Sequence, residues 1–174
     1  MFDNVRADFR AHHRRFGAQG FWALLVYRFG RWRIGQPRLI RRLLYPLYLF
    51  LEKLVQVVAG IELPCEVEIG EAFVIDHFGG IIISGYAKFG DHCRIRGGCV
   101  VGLARIDEPV APVCGDHVDI GAGAKLLGPI RIGNNVRIGA NAVVVTDIPD
   151  NSIAVGVPAV AKPMRPIEER RRAS

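Results

Sequence analysis

The stretch IGAGAKLLGPIRIGNNVRIGANAVVV, residues 120–145, decides the fold. Its aliphatics fall at Ile120, Leu126, Ile132, Ile138 and Val144, every sixth position, and a small or apolar residue such as Ala124, Val136 or Ala142 stands two places before them. A half-buried strand alternates with period two and an amphipathic helix with period 3.6; neither keeps a six-residue corner. A fixed period of six marks short parallel strands wound into a triangular prism, three hexapeptides to a coil. Working upstream, the same series runs through Ile69, Ile75, Ile81, Phe89, Ile95, Val101 and Cys114. The full series holds twelve hexapeptides, which predicts about four coils. Glycine follows many of the inward aliphatics, where it is expected to supply backbone conformations that side chains obstruct.

Two interruptions break the period: an expansion at Gly79-Gly80, and a longer one between Val101 and Cys114. Insertions in a repeat array leave the coil as loops and commonly build the binding surface. Before the repeat, residues 21–34 and 38–60 have helical spacing, with Phe21, Leu24, Leu25 and Arg28 near one face. Gly30 or Gly35 is expected to end the first helix, Pro46 to kink or split the second, and Gly60 to stop it before a first strand at Ile61. The chain therefore divides into an N-terminal helical segment (1–60) that caps the open end of the coil, a β-helix domain (61–160) and a tail (161–174), frayed at EERRRAS.

Composition narrows the class. Half the residues are apolar, with 20 glycines and 10 prolines, which suits a turn-rich globular domain. Cys65, Cys93, Cys99 and Cys114 lack CxxC spacing and stand mostly where the repeat wants small buried residues, so reduced core thiols are expected. His12 and His13 have no cysteine or carboxylate cluster at ligand spacing, and no metal is expected. His92 and His117 each end a Gly-Asp-His triplet and read as solvated corners. MFDNVRADFR has no basic segment leading into an apolar one, and the apolar run Leu43 to Leu51 is about half of what a membrane span needs. A cytoplasmic protein is expected. Residues 1–59 hold eleven Arg or Lys against three Asp or Glu, while the remainder is nearly neutral. Such a basic helical segment suits an oligomer-flanking solvated face or contact with the inner face of an anionic membrane. Nucleic acid is not expected, since no nucleic-acid motif accompanies the charge.

Within FVIDHFGGIII (73–83), Asp76 and His77 interrupt an apolar run. Ile75 and Ile81 are the inward residues, so the pair falls at the turn between prism faces, with its side chains out of the core. IDHFGGIII, IGAGAKLLGPIRIGNNVRIGANAVVV and AVGVPAV (154–160) resemble the serine O-acetyltransferases among the hexapeptide acyltransferases. The helical segment's close and FVIDHFGGIII also resemble the acetyltransferases of exopolysaccharide assembly, the colanic acid type.

The resemblance implies a left-handed parallel β-helix, homotrimers with or without pairing into a dimer of trimers, sites between subunits, and acetyl-CoA as cosubstrate. It places the general base at His77 and its carboxylate partner at Glu62, where serine-specific members carry Asp. Asp76 is the secondary candidate, for orienting the acceptor or as a hydrogen-bond acceptor. Gly102, Gly121, Ala122 and Ala140 would let pantetheine lie close to backbone, and Lys125, Lys162 or Arg165 would meet the phosphates. A backbone N–H beside Gly102 or in Gly79-Gly80 would hold the oxyanion.

The departures matter as much. Serine-specific members carry Arg-His-Pro where this chain reads Val110-Ala111-Pro112, and an Asp-Pro in the helices where it reads FRAHHRRFG. With those amino-acid clamps missing, the expected acceptor is a saccharide hydroxyl of a surface polysaccharide precursor; serine, in cysteine biosynthesis, is the alternative. Outside that class stand a non-catalytic hexapeptide scaffold and a metal enzyme of the γ-carbonic-anhydrase kind, which needs several spaced histidines.

Overall fold

The computed structural model describes residues 2–164; Arg165 and the charged tail fall outside the described residues. Four helices, α1 (Phe2–Ala11), α2 (Gln19–Ile34), α3 (Arg38–Leu43) and α4 (Tyr45–Ala59), precede fifteen short strands. The strands wind into a parallel β-helix with three faces. One face stacks β1 (Ile61–Glu62), β4 (Ile81–Ile83), β7 (Val100–Gly102), β10 (Lys125–Leu127) and β13 (Val143–Val144). The second stacks β2 (Glu68–Ile69), β5 (Lys88–Phe89), β8 (Val113–Cys114) and β11 (Arg131–Ile132). The third stacks β3 (Val74–Asp76), β6 (Arg94–Arg96), β9 (Asp119–Ile120), β12 (Arg137–Ile138) and β14 (Ser152–Gly156), and β15 (Ala159–Pro163) closes it antiparallel. The five-stranded face gives about five turns. The extra turn over the hexapeptide count begins at β1, upstream of the first periodic aliphatic.

Every sixth-position residue from Ile69 to Val144 is buried, as are the apolar partners two places earlier from Val67 to Ala142. Each such Ile, Leu or Val contributes roughly 1.5–3 kcal/mol by leaving water, and only because the next coil covers it. The four cysteines are buried and free, as their repeat positions imply. Burial pushes the Cys93 thiol up to about 11.

Two columns of left-handed residues turn the chain at two of the prism's edges. Between the second and third faces stand Ala72, His92, His117, Asn135 and Asn151, with φ of 53, 57, 56, 57 and 55°. Here a ladder of side chains locks successive coils: Glu71, Asp91, Asp116 and Asn134 donate their N–H to Asp91, Asp116, Asn134 and Asp150 Oδ1 at 2.7, 2.8, 2.8 and 2.7 Å. The repeat glycines of this edge are not left-handed, contrary to the expectation of backbone freedom. They are glycines because the ladder runs where a Cβ would be: on Gly90 it would fall 2.1 Å from Asp116 Oδ1. Between the third and first faces the column is Gly60, Gly80, Gly98, Gly123 and Asn141, at φ 62, 68, 76, 75 and 57°.

The helices finish the open end. β2 and β3 are edge strands whose outward backbone groups face no coil, and such edges need a cover. The Tyr27 hydroxyl donates to Val67 O at 2.8 Å, and the Arg28 guanidinium donates to Ile69 O at 2.9 Å and to Gly70 O. Phe73 N–H donates to Asp8 Oδ1 at 3.2 Å, and Ile75 N–H to His12 Nε2 at 3.2 Å. His12 Nδ1 in turn lies 2.8 Å from Asp8 O, so both ring nitrogens have backbone partners. Arg28 and Asp8 are 5% and 1% exposed and pair at 2.9 Å; losing either would strand the other's charge in the core, at a cost of about 3–5 kcal/mol. Burial pushes the Asp8 carboxyl up, with Arg28 and the Phe73 N–H pulling it back. Pro46 splits the second helical stretch, falling in the first turn of α4, and Gly60 ends α4 in the left-handed conformation.

Candidate active site

The expansion between β3 and β4 makes an exposed turn headed by His77, itself left-handed at φ 66°. Gly79 N–H donates to Ala59 O at 2.8 Å and Ile81 N–H to Gly60 O at 3.2 Å, which stitches the turn to the α4–β1 junction. A Cβ on Gly60 would lie 3.0 Å from Gly79 Cα, so the two backbones are in contact. With Gly79 N–H committed to Ala59, it is not available as the oxyanion donor that the sequence suggested.

Glu62 lies on the neighbouring coil, on β1 opposite Ile82 of the strand that follows the His77 turn, with its side chain exposed. Among the described residues no hydrogen bond or ion pair joins Glu62 to His77. Asp76 is half-buried and its carboxylate takes Arg94 at 2.6 Å. Arg96 pairs with Asp119 one coil on, continuing a row of ion pairs down this face. Asp76 is thus turned toward Arg94, away from the role of partner to its neighbour in sequence.

A cleft of about 300 Å³ opens beside the turn, lined by His13, Arg15, Gln19, Asp76, His77 and Phe78 among others. Its far wall is the α1–α2 connection. The sequence reading missed this wall because nothing in HHRRFG says which distant turn it will meet. The readable signal is the run of two histidines and two arginines between helical stretches, a basic stretch whose charge points to a solvated face or a membrane surface but names no partner within the fold. A wider groove of about 490 Å³, past Arg131, Asn134, Asp147 and Asp150, lies away from the His77 turn.

The residues expected to line a pantetheine path divide between two edges. Gly121, Ala122 and Ala140 stack on adjacent coils along the His77 edge: a Cβ on Gly121 would fall 2.6 Å from Ala140 N, and Asn141 N–H donates to Ala122 O at 2.8 Å. Ala122 and Ala140 are exposed. Gly102 stands at the far end of β7, on the next edge, where Gly128 N–H reaches its carbonyl at 2.9 Å. The Lys125 ammonium donates to Gly98 O at 2.7 Å and Gly123 O at 3.0 Å, which ties it into the glycine column. Lys162, exposed on β15, is the less encumbered cation. Among the described residues no three His, Cys, Asp or Glu are grouped to hold a metal ion.

An exposed imidazole at an open edge, beside a lined cleft and a track of small residues, suits proton transfer from a small acceptor to a long, thin donor. The model of the bacterial transferase hexapeptide family (six repeats) matches residues 111–146. The chain is 36% identical over 172 residues to the serine acetyltransferase of Synechococcus elongatus, covering 91% of this chain and 67% of that one. It is 38% identical over 141 residues to the serine acetyltransferase of Helicobacter pylori strain J99, covering 80% and 79%. Among solved structures, Neisseria gonorrhoeae serine acetyltransferase superposes with a TM-score of 0.81 at 29% identity, over 98% of this chain and 68% of that one. A serine acetyltransferase in complex with CoA superposes with a TM-score of 0.77 at 29% identity, over 92% and 68%. This chain belongs to the serine acetyltransferase family of hexapeptide-repeat acyltransferases.

Proposed function

We propose that the protein transfers the acetyl group of acetyl-CoA to the hydroxyl of serine, with His77 as general base. The observation that carries the chemistry is the exposed His77 turn facing its own cleft, on the edge that also stacks Ala122 and Ala140. The acceptor is drawn from kinship: the relatives named above are serine acetyltransferases. The donor is supported by the superposed complex with CoA.

A hydroxyl with a pKa far above neutrality is a weak nucleophile. In the proposed step neutral His77 takes the hydroxyl proton as the oxygen bonds to the thioester carbonyl carbon. The carbonyl π electrons move onto oxygen, and a backbone N–H near Gly80 or Gly102 stabilises the charge. When that oxyanion collapses, the C–S bond breaks and the departing thiolate takes the proton from the imidazolium. Glu62 supports the cation from the neighbouring coil after a side-chain rotation that brings its carboxylate to the second ring nitrogen. Asp76, held by Arg94, shapes the acceptor side of the cleft. Ala122, Ala140 and Gly121 form the donor track, with Gly102 on the facing edge and Lys162 or Lys125 near the phosphates. In a homotrimer the second wall of that track comes from a neighbouring subunit.

A second acceptor class, a saccharide hydroxyl of the exopolysaccharide kind, has one observation in its favour. The cleft offers no uncommitted carboxylate to receive an ammonium: its ionisable lining is His12, His13, Arg15 and His77, and Asp76 is already paired. Thiol release from acetyl-CoA by the purified protein, with serine and a panel of saccharides, decides between them. Serine is expected to exceed every saccharide at least about tenfold in kcat/KM, a gap of 1.4 kcal/mol in transition-state binding. The reverse order would assign the saccharide, and no release with any acceptor would end the acetyl-transfer reading.

A further inference from the structure

Helices α3 and α4 carry an apolar row that no other part of the described chain covers. Leu39, Leu43, Phe50 and Val57 are 80, 76, 65 and 77% exposed, and Leu47 and Leu54 continue the row. None of α3 is buried, and of α4 only Tyr48 and Ala59 are. Single exposed leucines are ordinary; a contiguous row across two consecutive helices marks an interaction surface.

The charge beside the row selects the occupant. Arg38, Arg41 and Arg42 are exposed on α3 and Lys53 on α4. The one carboxylate in this stretch, Glu52, is occupied by the Tyr48 hydroxyl at 2.9 Å. A second copy meeting this face about a twofold axis would set arginines near arginines with no acid between them. An anionic bilayer surface offers apolar cover and opposite charge together. No helix among the described residues is long and apolar enough to cross a membrane, so the helices would lie in the interface plane.

We propose that α3 and α4 dock the enzyme on an anionic lipid surface, leucines inward and arginines at the headgroups. Gln19 lines both the His77 cleft and the apolar hollow beneath Trp22, Leu54 and Val58, so docking brings the cleft to the bilayer margin.

The test is flotation of the full chain with vesicles of phosphatidylcholine alone or with about one-third phosphatidylglycerol, at low and high salt. Binding is expected only to the anionic vesicles and should weaken with salt. It should fall about fivefold for each of Arg38, Arg41 and Arg42 changed to Gln, the weight of one basic side chain at an anionic leaflet. Leu43→Asp should abolish it. Since none of α3 is buried, unchanged circular dichroism and unchanged acetyl-CoA turnover without vesicles should accompany these losses. No flotation with anionic vesicles, or flotation indifferent to the arginine changes, overturns the proposal. So does a smaller oligomer for Leu43→Asp in sedimentation velocity without vesicle binding in the parent, which would give the face to a second copy.

Discussion

Two edges of the same prism use the same left-handed backbone for different ends. At the ladder edge, side chains of Asp91, Asp116, Asn134 and Asp150 fill the space between coils and satisfy the backbone above, and the rings of His92 and His117 stack 4.9 Å apart on the exposed outside of the corner. At the glycine edge the column has almost no side chains; no atom outside its chain neighbours lies within 4 Å of where a Gly79 Cβ would be, and the cleft opens there. A histidine at a corner therefore means little in itself. What separates His77 from His92 and His117 is the space left beside it.

That contrast can be broken by mutation. Replacing the imidazole in His77→Ala should lower kcat by about 10²–10⁴, the usual weight of a general base, while His117→Ala should stay within about twofold. Glu62→Gln is expected to fall between these extremes. Steady-state thiol release measures all three, and equal losses at His77 and His117 would erase the distinction between the edges.

Stability should divide the edges next. Gly90→Ala forces a Cβ to within 2.1 Å of Asp116 Oδ1 and 2.8 Å of Gly115 backbone, so the coils must part; roughly 3 kcal/mol or more is expected, as for severe overpacking. Gly98→Ala meets its neighbour, Gly123 Cα, only at 3.4 Å but must hold φ near 76°, a cost of about 1–2 kcal/mol. Urea unfolding of the two variants gives the order. The smallest effect belongs to Asp116→Ala, which leaves the Asp91 N–H to exposed water and should cost about 1 kcal/mol.

The period of six made the β-helix legible before any coordinates, because a single inward residue per face must recur wherever coils stack. The same text explained where Asp76 and His77 point. It did not explain why Gly90 is glycine, since the Asp116 side chain that excludes a Cβ comes from the next coil. α1 is equally opaque: nothing around Asp8 and His12 in the sequence says that they will meet Arg28 and the unpaired edge at Phe73 and Ile75. The cleft's far wall is illegible for the same reason, since it sets His13 and His77, more than sixty positions apart, around one cleft. Local pattern carries whatever repeats; contacts made once between distant segments leave no period to read.

The division between a working edge and a structural one is tested most directly by histidine side-chain resonances of the labelled protein during titration with acetyl-CoA. There are five histidines to assign. The His77 signals should shift on saturation while those of His92 and His117 stay in place. Shifts confined to His92 and His117, with His77 unmoved, would contradict the placement of the active site at the glycine edge.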